Sequence, residues 1–124
     1  MPPNRVEHSV FDYSYPEVYY QAGQKDKARA LLNEMLDKAK DELNYYKTVY
    51  NYSLGQARDA GDMNYLGQLQ QGAFMERREV REQLFIMQEL TLASKKYDDA
   101  DFSGKVDKTF QDYRMGFTQG MPRQ

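Results

Sequence analysis

One apolar stripe at helical spacing runs through the first half of the chain and limits what it can fold into. Between residues 28 and 57 the apolar positions recur in steps of three and four: Ala28, Leu31, Leu32, Met35, Leu36, Ala39, Leu43, Tyr46, Tyr50, Leu54 and Ala57. This period is typical of an amphipathic helix with one buried face. The spacing therefore predicts a helix of roughly 35 residues, about 50 Å long at 1.5 Å per residue.

A second long pattern follows directly. Gly61 is a helix-stop signal and Asp62 a helix N-cap, so two residues end one helix and start the next. The second stripe contains Leu66, Leu69, Ala73, Val80, Leu84, Met87 and Thr91. A turn this short makes the two helices antiparallel neighbours. Gly67 and Gly72 weaken the start of the second helix and permit a kink.

Short helices are predicted on either side of this hairpin. Residues 14–17 begin a helix that Gly23 ends, and a last helix is expected over 103–117. Residues 1–12 are interpreted as an extended arm and 118–124 as a flexible tail. With no strand pattern, the sequence predicts one all-α domain over 13–117, a long antiparallel helical hairpin with short flanking helices.

Composition excludes several classes of function. The 124 residues contain no cysteine and one histidine, His8, and the net charge is -2. Disulfides, cysteine-ligated zinc and a catalytic thiol are therefore excluded, and the balanced charge argues against nucleic-acid binding. The longest apolar run, 84–87, is too short to cross a membrane. We expect no cofactor. Because Leu, Ile, Val and Phe total only 23 residues, 11 Tyr and 7 Met are expected to supply much of the buried area.

The first turn resembles the middle of a tetratricopeptide repeat. Tyr19 precedes Gly23 by four positions, Ala28 follows it by five, and Leu32 falls where the next large residue is expected. The turn at 61–62 does not repeat this spacing. The sequence therefore predicts a repeat-like helical hairpin in the N-terminal half rather than a regular array.

Residues 99–107 resemble a calcium loop of the EF-hand type. Asp99, Asp101 and Ser103 stand at loop positions 1, 3 and 5, and Asp107 stands at position 9. Position 12 is Phe110, where such a loop needs a bidentate glutamate. We therefore favour an interhelical loop whose Asp101 or Ser103 caps the last helix, and assign no metal site, with weak calcium binding as an alternative.

Tyrosines crowd the first helix and the middle of the second. An aromatic ring with a polar tip suits an interface. Packing between the short and long helices is the leading interpretation, and a protein or peptide surface is the alternative. The candidates for that surface are Tyr15, Tyr19, Tyr20, Tyr45 and Tyr52.

The amino-acid sequence of residues 19–50 also resembles that of a known family, most clearly in the motifs AGQKDKA and DELNYY. It looks like the soluble C-terminal tail of an uncharacterised Bacteroidetes membrane-protein family similar to protein O-mannosyltransferases, and the resemblance covers residues 13–117. It implies a fragment of a larger membrane-anchored protein and an extracytoplasmic, periplasmic location. Any glycosyl transfer would then lie in the missing membrane portion, and no catalytic residue carries over to these positions.

The leading functional prediction is a non-catalytic helical protein-interaction or scaffold module that binds a protein or peptide. One alternative is the weak calcium-binding module, and another is a self-associating domain that forms a homodimer side by side. A stand-alone enzyme or ligand carrier is the remaining rival, and it would require buried acidic pairs in a closed apolar cavity.

Overall fold

The computed structural model describes residues 14–118, so the predicted arm, the tail beyond residue 118 and His8 lie outside the described residues. Within residues 14–118, five α-helices and one 3-10 turn follow in order: α1 (Ser14–Gln21), α2 (Lys25–Ala60), α3 (Met63–Gln70), the 3-10 turn (Ala73–Glu76), α4 (Arg78–Lys96) and α5 (Ala100–Gly116). No strand occurs within 14–118, and the predicted all-α fold class is confirmed.

Three of the turns between helices share one backbone geometry. Each has a residue with left-handed φ just after a helix: Gly23 (78°), Gly61 (70°) and Asp98 (61°). Its N–H donates to the carbonyl three residues back, and the next N–H donates to the carbonyl five residues back. These paired bonds satisfy carbonyls that a helix end leaves without partners. The predicted stops at Gly23 and Gly61 are confirmed, and the third turn uses an aspartate in place of glycine.

The second arm of the hairpin, meaning residues 63–96 that run back along α2, is divided into two helices. The sequence predicted a single long helix here. α3 ends at Gln70, and Gly72 then takes a φ of 99°, which glycine adopts without steric penalty. After the 3-10 turn, Arg77 is extended and α4 begins at Arg78. The last helix also begins earlier than predicted, at Ala100 rather than residue 103, because Asp99 and not Asp101 or Ser103 is its N-cap.

The break at Gly72 allows an aromatic cluster to form at one end of the molecule. Tyr50 contacts Phe74 and Phe117 edge to face, with ring centroids 5.4 and 5.6 Å apart, and the two phenylalanines stack at 5.7 Å. All three side chains are buried. The Tyr50 hydroxyl donates to the carbonyl oxygen of Leu69 at 3.1 Å.

One hydrophobic core lies between α2 and the second arm, and α5 packs against α4. The core does not follow the expectation that tyrosine and methionine supply much of the buried area. Among the twenty buried hydrophobic residues of the described chain, eight are leucine, two are methionine and one is tyrosine. The buried hydrophobic residues include Leu32, Met35, Leu36, Leu43, Tyr50, Leu54, Leu66, Leu69, Leu84, Met87 and Leu90. Most of the tyrosines are therefore left at the surface or at its edge.

Candidate interaction surface

The carboxylate of Asp99, in the turn between α4 and α5, is buried and accepts four hydrogen bonds. Arg29 on α2 donates to it twice, from Nε at 2.8 Å and from Nη2 at 2.6 Å. The Tyr20 hydroxyl on α1 donates at 2.8 Å. The backbone N–H of Phe102 donates at 3.4 Å, which makes Asp99 the cap of α5. This cluster fastens the α1–α2 end of the fold to the α4–α5 turn.

The electrostatics of this cluster favour a fixed carboxylate. The hydrogen bonds from Arg29, and then those from Tyr20 and the Phe102 N–H, outweigh burial and lower the pKa of Asp99 to about 2. Burial, together with the bond to Asp99, raises the pKa of Tyr20 well above its usual value. Tyr20 also stacks on Tyr97, with centroids 5.0 Å apart. A carboxylate held this way is a poor proton acceptor at neutral pH and acts as a structural anchor.

The segment that resembles a calcium loop, residues 99–107, is mostly helical. The segment is helical from Ala100, so Ser103 and Asp107 stand on α5, and the carboxylate of Asp99 is already held by Arg29 and Tyr20. The Asp101 side chain is 96% exposed and lies 4.0 Å from Arg29. Within residues 14–118 no group of three or more His, Cys, Asp or Glu is arranged to hold a metal ion.

The four residues of the repeat-like half-match lie on α1, on α2 and in the turn between them. Gly23 has left-handed φ, Ala28 and Leu32 are fully buried, and Tyr19 is half-buried at the end of α1. The Asp62 side chain caps α3 through the N–H of Tyr65 at 3.0 Å. These are local features of one helical hairpin, and the tetratricopeptide likeness stays a prediction.

The five candidate tyrosines divide into two groups. Tyr19 and Tyr20 are half-buried, and Tyr20 is bonded to Asp99. Tyr15, Tyr45 and Tyr52 are exposed, at 63%, 62% and 66% of their surface. The last two stand on the same side of α2, because seven residues make nearly two full turns, about 10.5 Å along the axis.

We call the outward side of α2 the α2 stripe and define it by Asp41, Tyr45, Tyr52 and Asp59, all of them exposed. It points away from the core, because the fully buried Leu43 and Tyr50 precede the two tyrosines by two residues each. Within the described residues, neither aspartate forms an ion pair. The stripe therefore presents two aromatic rings between two unpaired negative charges.

α4 carries a second outward stripe, which the sequence analysis missed. We call it the α4 stripe and define it by Arg78, Phe85, Leu92 and Lys96. Phe85 and Leu92 are 55% and 59% exposed. The residues two positions after them, Met87 and Ser94, are fully buried on the opposite side of the helix. The signal that was available is the seven-residue spacing of two large apolar residues outside the buried stripe.

A groove between α4 and α5 adjoins the α4 stripe. Its floor includes the half-buried Phe110, which lines the same depressions as Phe85 and Leu92. Arginines and acidic residues stand along its edges: Arg78, Arg81, Glu82, Glu89, Asp107 and Arg114. Arg78 is bonded to Glu82 at 3.2 Å, whereas Arg81 forms no ion pair within residues 14–118. This face can receive a helix along its length.

Two further findings bear on function. Among the described residues, none of the helices has the length and apolar content needed to cross a membrane. No family model, no curated protein and no solved structure matches this chain.

Proposed function

We propose that the chain is a non-catalytic helical protein-interaction module that binds an amphipathic helix along α4. The single observation that carries the proposal is the pairing of Phe85 and Leu92 on one exposed side of a helix, two turns apart. Scattered exposed apolar residues need no explanation. Two of them in register beside a groove match the anchor spacing by which helices are received in grooves.

We call Phe85 and Leu92 the anchors. The charged residues beside them determine which charges a partner helix must carry. Basic residues stand beyond both anchors, with Arg78 and Arg81 before Phe85, and with Lys95 and Lys96 after Leu92. Arg81 and Lys95 form no ion pair within the described residues, so both can pair with a partner's carboxylates. The partner helix is therefore expected to carry two large apolar residues seven positions apart, with acidic residues outside them.

The rigid body behind this face supports the same function. The cluster at Asp99 and the aromatic cluster around Tyr50 hold the helices at opposite ends, so that α4 is presented on a fixed support. A preorganised face loses less entropy on binding than a mobile one does. The carboxylate of Asp99 is fully buried and hydrogen-bonded to Arg29 and Tyr20. These contacts support a structural role for Asp99.

The test is a titration of the isotope-labelled protein with designed helical peptides, followed by NMR. One peptide carries two leucines seven residues apart with glutamates outside them, and the control peptide carries lysines in place of the glutamates. We expect shifts confined to α4 and α5, and binding at least tenfold tighter for the acidic peptide. Phe85→Ser should abolish these shifts, while Met63→Ser, a matched change at a residue 67% exposed on α3, should not. Equal binding of both peptides, or none, would overturn the proposal.

A further inference from the structure

We propose that the partner helix is α2 of a second copy of this chain, with the α2 stripe lying antiparallel on the α4 stripe. This inference rests on the function proposed above and names the partner. Its first support is spacing. Along the α2 stripe the residues Asp41, Tyr45, Tyr52 and Asp59 follow at intervals of four, seven and seven.

The α4 stripe has the same intervals in the reverse order. From Arg78 to Phe85 is seven residues, from there to Leu92 is seven, and from there to Lys96 is four. When the two helices run antiparallel, one register brings all four positions opposite one another. Tyr52 then faces Phe85, and Tyr45 faces Leu92. Two pairs of large apolar groups thus meet, and the two pairs lie about 10.5 Å apart along the helix axes.

Charge is the second support, and it is independent of the apolar anchors. In the same register Asp59 faces Arg78 and Asp41 faces Lys96, so that both ends of the contact pair opposite charges. A homodimer that joined two α4 stripes would instead place basic ends against each other or against basic flanks. Arg78 and Lys96 already contact Glu82 and Glu17 at 3.2 Å, but these pairs are exposed and are easily exchanged.

The positions of the two stripes decide the form of the assembly. Leu43 and Met87, from the inner sides of α2 and α4, lie in the same core. The two stripes therefore point away from each other on opposite sides of one molecule. One copy cannot bring its own two stripes together. When two copies make one contact, one α2 stripe and one α4 stripe stay unoccupied. The contact is heterologous, so copies add head to tail instead of closing as a symmetric pair.

The first experiment is sedimentation velocity on the full chain from micromolar to several hundred micromolar concentration. We expect the mass to rise with concentration beyond that of a dimer. Tyr52→Lys, which damages the α2 stripe, and Phe85→Glu, which damages the α4 stripe, should each weaken self-association at least tenfold. Tyr15→Lys and Met63→Glu are the matched controls, because both residues are equally exposed on other helices, and they should leave it unchanged.

Mixing the two variants distinguishes a heterologous contact from a symmetric one. The Tyr52→Lys chain keeps an intact α4 stripe, and the Phe85→Glu chain keeps an intact α2 stripe. An equimolar mixture should therefore form a one-to-one dimer and stop there. If Tyr52→Lys leaves association unchanged while Phe85→Glu abolishes it, or if mixing restores nothing, the proposed contact is overturned.

The absence of cysteine from the chain provides a test of register. We expect a mixture of Tyr45→Cys and Leu92→Cys chains to form the mixed disulfide under mild oxidation at least fivefold faster than a mixture of Tyr45→Cys and Phe85→Cys chains. The opposite order would overturn the antiparallel register. A chain that stays monomeric while still binding the acidic peptide would overturn this inference alone. A chain that does neither would overturn the proposed function as well.

Discussion

The guanidinium of Arg29 and the carboxylate of Asp99 form a two-point contact across 70 residues of sequence, with N–O distances of 2.8 and 2.6 Å. The carboxylate side chain is fully buried, while a third of the arginine side chain is exposed. Two parallel bonds between a planar cation and a planar anion fix orientation as well as distance. This contact therefore sets how the α1–α2 end of the fold meets the turn before α5.

We expect Asp99→Asn to lower the free energy of unfolding by about 2 kcal/mol, because an amide cannot accept charged bonds from both arginine nitrogens. The loss stays below that of a fully buried ion pair, since Arg29 keeps contact with water. The measurement is urea unfolding at pH 7. Asp101→Asn is the control, and with its side chain 96% exposed it should change stability by less than about 0.5 kcal/mol. Equal effects of the two variants would contradict this role of Asp99.

The same contact predicts a dependence on pH. The pKa of Asp99 is about 2 in the folded chain, below the value of about 4 that is usual for an aspartate. A carboxyl with a lowered folded pKa stabilises the fold above its unfolded pKa, and that contribution is lost as the pH falls from about 4 to 2. The stability difference between the wild type and Asp99→Asn should therefore shrink by about 2 kcal/mol between pH 7 and pH 2. Urea titrations along this pH series measure it, and a constant difference would show that the carboxyl is not responsible.

The end of α5 is held by a side chain just beyond the helix. Phe117 is fully buried against Tyr50 and Phe74, whereas Met115, two residues earlier, is 57% exposed. We expect Phe117→Ala to cost about 3–4 kcal/mol, because it leaves a cavity inside the aromatic cluster. Met115→Ala should cost less than about 0.5 kcal/mol. Thermal unfolding of the two variants compares them directly, and similar melting temperatures would mean that the end of α5 does not depend on this cluster.

Local signals predicted much of the fold but little of its polar architecture. The extent of α2 and the turns at Gly23 and Gly61 follow from apolar spacing and from residues that end helices, all of which act within a few positions. The contact of Arg29 with Asp99 depends on how two distant segments meet, and no period in the sequence records it. In the sequence Asp99 stood out only as position 1 of a weak calcium-loop alternative, because its sequence neighbours also carry oxygen atoms, and Asp101 or Ser103 was expected to cap the last helix instead.

The candidate surface was predicted in part for a similar reason. Tyr45 and Tyr52 fall outside the buried stripe of α2, and their exposure follows from the helical period. Phe85 and Leu92 were missed because large apolar residues are expected in a core, and only the packing of α5 against α4 shows that they remain outside. The same distinction between local and tertiary causes applies to the break in the second arm, since glycine is tolerated inside a helix until a neighbour such as Phe74 requires another path.

That break can be tested with a pair of glycines five residues apart. Gly67 lies inside α3, and a Cβ there would meet no atom within 4 Å, so Gly67→Ala should raise stability by about 0.5–1 kcal/mol through the better helix propensity of alanine. Gly72 has a φ of 99°, and a Cβ there would lie 3.0 Å from the methyl carbon of Met75. Gly72→Ala should therefore lower stability by about 1–2 kcal/mol. Chemical unfolding measures both changes. If the second arm were one continuous helix, both substitutions would stabilise it, so opposite signs are the outcome that only the divided arm predicts.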